Sequence, residues 1–192
     1  MPNDESSGGH SRRDFVTVSA GAFVGVGAIL AAWPLIDQMN PNPGTPRPET
    51  VTVDLDPIRP GQTLSVRWKG WPIVILNRTA AQIAMSRSVA IDALPDRLAR
   101  NANLPADAPA FDANRADRSN ANWLVVIAVC THMGCRLNAR SESGGQGPDE
   151  AWVCPCHASR FDFAGRVRSG PARTNLPVPP YQLIDRNRVI IG

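Results

Sequence analysis

The sequence predicts a mainly β protein, with a β-rich head carried on a single N-terminal transmembrane helix. Three observations predict this. Phe15 to Ile36 runs without a charged residue. From Val51 onward, short stretches alternate apolar and polar residues, broken by turn signals, in a chain that holds 18 prolines and 15 glycines. All four cysteines and two of the three histidines fall in two six-residue boxes, Cys130-Thr131-His132-Met133-Gly134-Cys135 and Cys154-Pro155-Cys156-His157-Ala158-Ser159.

A chain of 192 residues, 43% of them hydrophobic, has room for one modest domain plus an anchor. The net charge of +3 is too small to point to nucleic acid. Lys69 is the only lysine, so basic character is almost all arginine, a bias that reads as genome composition.

The uncharged run FVTVSAGAFVGVGAILAAWPLI spans roughly 33 Å as a helix, enough to cross a bilayer core of about 30 Å. Asp37 closes it, and Trp33 suits the membrane interface near that end. Gly21, Gly25 and Gly27 leave a small surface that another helix can approach, unless they reflect only a richness in small residues. In front stands Ser11-Arg12-Arg13-Asp14-Phe15, a twin arginine before an apolar run, the pattern of an export signal used by folded proteins. The run is long for a signal peptide and no small-x-small site precedes Pro34, so it reads as retained, with cleavage the alternative. The expected layout is a cytoplasmic tail over 1–14, an anchor over 15–36 and an external head over 51–192. That places a single-pass protein in a bacterial inner membrane, N-terminus inside and head in the periplasm.

Residues 37–50 carry Pro41, Pro43, Pro46 and Pro48 without apolar periodicity. They read as a tether of polyproline character, a spacer or a hinge, with a reach of roughly 40 Å at about 3.1 Å per residue. Beyond it, Val51, Val53 and Leu55 alternate as a strand, and Leu64, Val66 and Trp68 do the same. Lys69-Gly70 turns that strand into Ile73–Leu76, a hairpin signal. Thr79 is an N-cap for a helical stretch reaching toward Leu98. Asn101 to Asn122 is polar and reads as an irregular surface insertion. Trp123 to Val129 is a continuous apolar strand that delivers Cys130, and short strands follow at Phe161–Phe163, Gly165–Val167, Tyr181–Ile184 and Arg188–Ile191.

Each box offers a metal one Cys and one His, and each holds one further Cys. Two sulfur and two nitrogen ligands suit a [2Fe–2S] cluster with two thiolates on one iron and two imidazoles on the other, a one-electron centre. Two loops presenting Cys130 with His132, and Cys154 with His157, would bring Cys135 and Cys156 between them. A disulfide there would clamp the loops and fit an oxidising compartment. A structural zinc site would favour Cys-x-x-Cys knuckles. Two plain disulfides leave both histidines unexplained, and a mononuclear oxygenase iron would find only His10 left over.

The two boxes resemble those of the Rieske iron–sulfur proteins. With the twin-arginine anchor, the linker, the later Gly170-Pro171-Ala172 and the ending LPVPPYQLID, nearly the whole chain resembles the Rieske subunits of cytochrome bc complexes (ubiquinol–cytochrome c reductase). The resemblance implies a β-sandwich of stacked antiparallel sheets with a small cluster-binding subdomain over about 124–175 and an insertion over about 80–122. It implies one [2Fe–2S] cluster per subunit, Cys130 and Cys154 on the inner iron, His132 and His157 on the outer iron, and a Cys135–Cys156 disulfide. Ser159 would donate a hydrogen bond to a bridging sulfide, and Pro171 would lie in a loop covering the cluster. The implied activity is one-electron oxidation of ubiquinol, coupled to proton translocation. His157, ahead of His132, would meet the quinol and take its proton, and the electron would pass to a cytochrome c1-type haem. The implied partners are cytochrome b and a c1-type subunit in a dimeric membrane complex.

Two positions depart from the family pattern. Phe161 stands where quinol oxidisers carry a Tyr whose hydroxyl points at a ligand sulfur, which lowers the expected potential. Met133 replaces the usual Leu. Phe161, Ser159, Met133 and Pro171 are therefore the residues expected to tune the potential. The competing family reading is the small Rieske subunit of a periplasmic oxidase such as arsenite oxidase, which Phe161 suits. The retained anchor, the tether and the proline loop speak against it.

Overall fold

The computed structural model describes residues 11–39, 49–139, 151–185 and 187–192. The expectations for the extreme N-terminus and most of the tether fall outside these. The chain divides into two compact units, residues 1–46 and 47–192.

Among its described residues the first unit is one helix, α1 (Arg12–Asp37). It starts three residues before the uncharged run because Ser11 caps it. The Ser11 hydroxyl accepts from the Asp14 N–H at 3.2 Å, and the Asp14 carboxylate accepts from the Ser11 N–H at 3.0 Å. This reciprocal capping box satisfies two N–H groups that a helix start otherwise leaves open. No residue of α1 is buried, and an 18-residue stretch of it with a mean hydropathy of 2.1 makes it long and apolar enough to cross a membrane.

The second unit is built from three antiparallel sheets. The first pairs β1 (Val51–Asp54) with β10 (Arg188–Ile191) and β10 with β9 (Tyr181–Asp185). The second runs β2 (Thr63–Trp68), β3 (Trp71–Asn77), β4 (Trp123–Ile127). The third is a meander of β5 (Asn138–Ala139), β6 (Trp152–Val153), β7 (Arg160–Phe161) and β8 (Val167–Ser169).

Strands β3 and β4 of the middle sheet are buried on both faces, which explains their unbroken apolar runs, while β2 exposes Thr63, Ser65 and Arg67 on one side. Successive side chains on a strand face opposite ways. Ile73, Ile75, Trp123 and Val125 pack with Val53, Val189 and Ile191 of the first sheet. Val74, Leu76, Leu124 and Val126 pack on the other side with Trp152, Phe161 and Val167 of the third. The β2–β3 hairpin turns as expected at Lys69 and Gly70, both at positive φ (47° and 86°), the geometry that suits a two-residue turn.

Two expectations are corrected. The helix capped by Thr79 is α2 (Ala80–Ser88) and ends ten residues short of Leu98, which instead bridges Pro109. Ala90 and Leu94 are extended on either side of a short 3₁₀ turn at Ile91–Ala93, and Pro95 follows, so the chain cannot continue as a helix. Nor is the stretch from 101 to 122 confined to the surface. Its short helix α3 (Asp112–Arg115) buries both of its end residues, and Ala110 and Ala116 are buried with them.

Three buried arginines explain why. Arg78 binds the Asp112 carboxylate at 2.5 Å and the Ala121 carbonyl at 2.5 Å. Arg166 binds Asp162 at 2.8 Å, the Ser86 carbonyl at 2.7 Å and the Ala110 carbonyl at 3.2 Å. Arg115 makes no ion pair among the described residues, although Asp162 and Asp96 lie close enough to favour its charge. Its guanidinium donates to four backbone carbonyls, those of Ala99, Ala164, Gly165 and Leu176. Burial pulls its pKa down to about 10, which still leaves it charged at neutral pH. These forks tie residues 80–122 to the stretch 162–176 that follows the second box. Asp96 adds a fourth tie. Burial works against its ionised form, but hydrogen bonds from Arg100 and from the Asn175 and Leu98 N–H groups outweigh it, and its pKa falls below 3.8.

Lysine cannot replace a four-carbonyl fork, because it offers three donors from one point. Arg115→Lys is therefore expected to lower the stability of the head by about 2–4 kcal/mol, read by chemical denaturation. A loss below about 0.5 kcal/mol would show that the fork is dispensable.

Candidate metal centre

Both boxes are hairpin loops, and they share one hydrogen-bond pattern. Box one leaves β4 and returns through a Val129–Arg136 bridge, while box two joins β6 to β7. In box one the Cys130 N–H donates to the Cys135 carbonyl at 2.8 Å, and the Gly134 N–H donates to the Cys130 carbonyl at 2.9 Å. In box two the Cys154 N–H donates to the Ser159 carbonyl at 2.8 Å, and the Ala158 N–H donates to the Cys154 carbonyl at 3.0 Å. The fifth residue of each loop takes a positive φ, 78° at Gly134 and 56° at Ala158. A Cβ at Gly134 would meet nothing within 4 Å, so its backbone angle rather than space calls for glycine there.

These loops put the thiols and the imidazoles in different places. Cys130 and Cys154 begin their loops at strand ends and are each 2% exposed. Their side chains are within hydrogen-bonding reach of each other, and neither is in a disulfide. His132 and His157 lie further along the loops, both exposed, with ring centroids 4.8 Å apart and planes nearly perpendicular. Cys135 and Cys156 form a disulfide with a Cα–Cα separation of 6.6 Å, closing one loop onto the other. The sulfurs of Cys135, Cys154 and Cys156 all lie within 4.8 Å of one another. Two of these are spent in the disulfide, which leaves Cys154 as the free thiol of that group.

A third loop is stitched to both boxes. The Ala172 N–H donates to the Ser159 hydroxyl at 3.1 Å, and the Thr131 hydroxyl donates to the Thr174 carbonyl at 2.6 Å. Gly170, at φ +91°, lies so close that a Cβ would come within 2.6 Å of the Ser159 Cα. Asn175 anchors the base of this loop. Its side chain donates to the Asp96 and Leu98 carbonyls and accepts from the Val167 N–H. Thr131, Ala158 and Asn175 are site-shaping residues to which sequence reasoning gave no role, and Gly170 entered it only as part of the Gly170-Pro171-Ala172 resemblance. Thr131 and Ala158 carried a signal by lying inside the boxes, and Asn175 carried none.

The residues present fit a [2Fe–2S] cluster. Two buried thiols without a covalent partner face one another, next to two exposed imidazoles, and soft sulfur with borderline nitrogen is the matching donor set. Burial pushes the Cys130 thiol above its ordinary range, with the Cys154 thiol adding to the rise and hydrogen bonds from the His132 N–H and Ser159 opposing it. A cation beside these sulfurs would reverse that balance and hold them as thiolates.

Phe161 is fully buried in the same side-chain cluster as Cys130 and Cys154. Tyr181, the chain's only tyrosine, hydrogen-bonds Asp117, so its hydroxyl is committed elsewhere. Met133 is 72% exposed beside the imidazoles, and Pro171 is exposed on the third loop.

Residues 110–180 match the family described as "Rieske [2Fe-2S] domain", and residues 2–42 match "Ubiquitinol-cytochrome C reductase Fe-S subunit TAT signal". Three relatives bear the name ubiquinol-cytochrome c reductase iron-sulfur subunit. The one from Cereibacter sphaeroides is 45% identical over 195 residues, covering 100% of both chains. The one from Bradyrhizobium diazoefficiens is 42% identical over 189 residues, covering 97% of this chain and 98% of its own. The one from Rickettsia felis is 41% identical over 182 residues, covering 95% of this chain and 93% of its own.

The disulfide closes a loop with a sequence separation of 21. Cys135→Ser is expected to cost the head roughly 3 kcal/mol and to open the buried Cys130 and Cys154 thiols to alkylation. Unchanged alkylation rates would show that the two loops hold together without the crosslink.

Proposed function

Because the chain belongs to the iron–sulfur subunits of ubiquinol–cytochrome c reductase, we propose that its head takes single electrons from ubiquinol and delivers them to a c-type cytochrome. The observation that carries this reading is the pair of exposed, adjacent imidazoles outside two buried thiols. Cys130, Cys154, His132 and His157 would hold the cluster, which supplies a one-electron acceptor of raised potential when bound. His157 binds the quinol hydroxyl through an exposed ring nitrogen and accepts its proton there, with His132 beside it. Met133 offers the quinol side an apolar, adaptable contact. The buried thiols and the Ser159–Ala172 contact keep water from the inner side of the centre.

The relatives' coverage includes the anchor, which favours a retained helix and argues against a free periplasmic oxidase subunit. The proposed layout is a tail over 1–14, a membrane helix over 15–36, a tether over 37–50 and a head over 51–192, with the cluster-binding part at about 124–175. The N-terminus lies in the cytoplasm of a bacterium and the head in the periplasm. Cytochrome b and a c1-type subunit are the proposed partners, in a dimeric complex in which cytochrome b completes the quinol pocket.

Electron paramagnetic resonance of reduced native membranes tests the reading. A Rieske-type signal whose shape changes when a quinol-site inhibitor is added is the expected result. A signal blind to the inhibitor would rule out quinol oxidation at this head.

Phe161 offers a second check. Restoring a hydroxyl with Phe161→Tyr adds one hydrogen bond, worth about 0.5–1.5 kcal/mol. For one electron that raises the midpoint potential by roughly 20–65 mV. A redox titration showing no rise would mean that the hydroxyl does not reach a ligand sulfur in this chain.

A further inference from the structure

The residue that leads into the head is held by side-chain and backbone contacts that no pairing of strands requires. The Trp68 indole N–H donates to the Glu49 carbonyl at 2.8 Å, across 19 residues of sequence. Trp68 itself is 9% exposed and packs in the core between the first two sheets, with the Lys69 ammonium 4.9 Å from its ring centroid. An indole N–H in such a position needs its one acceptor, since leaving it unpaired is costly. Gly192 closes the other side. Its φ of +118° is one that side-chain-bearing residues rarely adopt. A Cβ there would come within 2.2 Å of the Glu49 carbonyl oxygen, 2.7 Å of the Trp68 Nε1 and 3.1 Å of the Thr50 Cα. The Gly192 N–H donates to the Pro180 carbonyl at 2.9 Å, one step beyond the Val51–Ile191 pair that begins β1.

We propose that Trp68 and Gly192 form a clamp that fixes the head-side end of the tether at Glu49. The proposal rests on the reading of the chain as a tethered, membrane-anchored head. With Glu49 held, the span from the end of α1 at Asp37 is 49 − 37 = 12 residues, roughly 37 Å if extended as polyproline. With the clamp open, the span reaches Val51 and gains two residues, about 6 Å. Trp68 is therefore a positioning residue. It sets how far the head can travel and, through that, its effective concentration at each partner.

Membrane fragments holding the full chain, treated with an endoproteinase that cuts after glutamate, test this directly. Glu49 is the only glutamate between the helix and the head. Cuts at Glu142 or Glu150 leave the pieces joined by the Cys135–Cys156 disulfide, so release of the head reports the Glu49–Thr50 bond alone. The expected result is slow release from the unaltered protein. Trp68→Phe, which keeps an aromatic side chain but loses the indole N–H, should release about 2–13-fold faster, the population change that one lost hydrogen bond produces. Gly192→Ala should do the same with Trp68 intact, and both variants should keep the melting temperature of the head. Equal release rates in all three proteins would overturn the clamp. So would a faster release that only follows a lowered melting temperature. Head recovered in the wash before protease is added would instead overturn the anchored reading on which the clamp rests.

Discussion

Three guanidinium groups buried in the head constrain everything around them. A buried charge costs several kcal/mol unless every donor is met, so the chain near Arg78, Arg115 and Arg166 has little freedom. Each fork draws in carbonyls from stretches far apart in sequence. Arg115 alone joins Ala99, the Ala164–Gly165 turn and Leu176. Strands β7 and β8, with the turn between them, are thereby held against residues 80–122, and the second box is the loop that enters β7.

That rigidity reaches the metal centre through short links. Arg166 and Asp162 fix the β7–β8 turn, Asn175 fixes the base of the third loop on Asp96 and Leu98, and Ala172 reaches Ser159. The two boxes themselves repeat one loop design, with a buried cysteine at the first position and a left-handed residue at the fifth. Ala158 holds that left-handed angle without being glycine, a local cost that the surrounding hydrogen bonds sustain. The arrangement divides the chemistry by depth. The Cys130 and Cys154 thiols lie inside, and the His132 and His157 imidazoles lie at the surface.

A different constraint governs how the head is carried. The membrane helix and the head are separate compact units joined by a proline-rich stretch, so the geometry at the head's entry point matters more than any contact within the linker. Trp68 and Gly192 act there, on the opposite face of the middle sheet from the side-chain cluster that holds Cys130 and Cys154. The middle sheet thus serves the entry point with one face and the metal centre with the other.

Much of this protein was legible in its sequence. The uncharged run, the strand alternation, the Lys69-Gly70 hairpin, the Thr79 cap and the family of the two boxes all depend on short-range patterns of side-chain type, which sequence records directly. The helix after Thr79 was read too long because composition does not mark where an extended residue will be forced. The stretch after Asn101 was read as surface because polar composition hides burial when the polar groups have partners. The arginine bias looked like genome composition, yet three of those arginines hold the head together. By itself the sequence determined the long apolar helix, the sheet-rich head and the two Cys/His boxes, since each rests on residue identity at fixed local spacing. Only the tertiary structure decided which stretches the arginines bind, how the third loop covers Ser159 and where the tether stops. Most of those contacts engage a backbone carbonyl or N–H, which nearly every residue carries alike, so they leave little mark in the sequence.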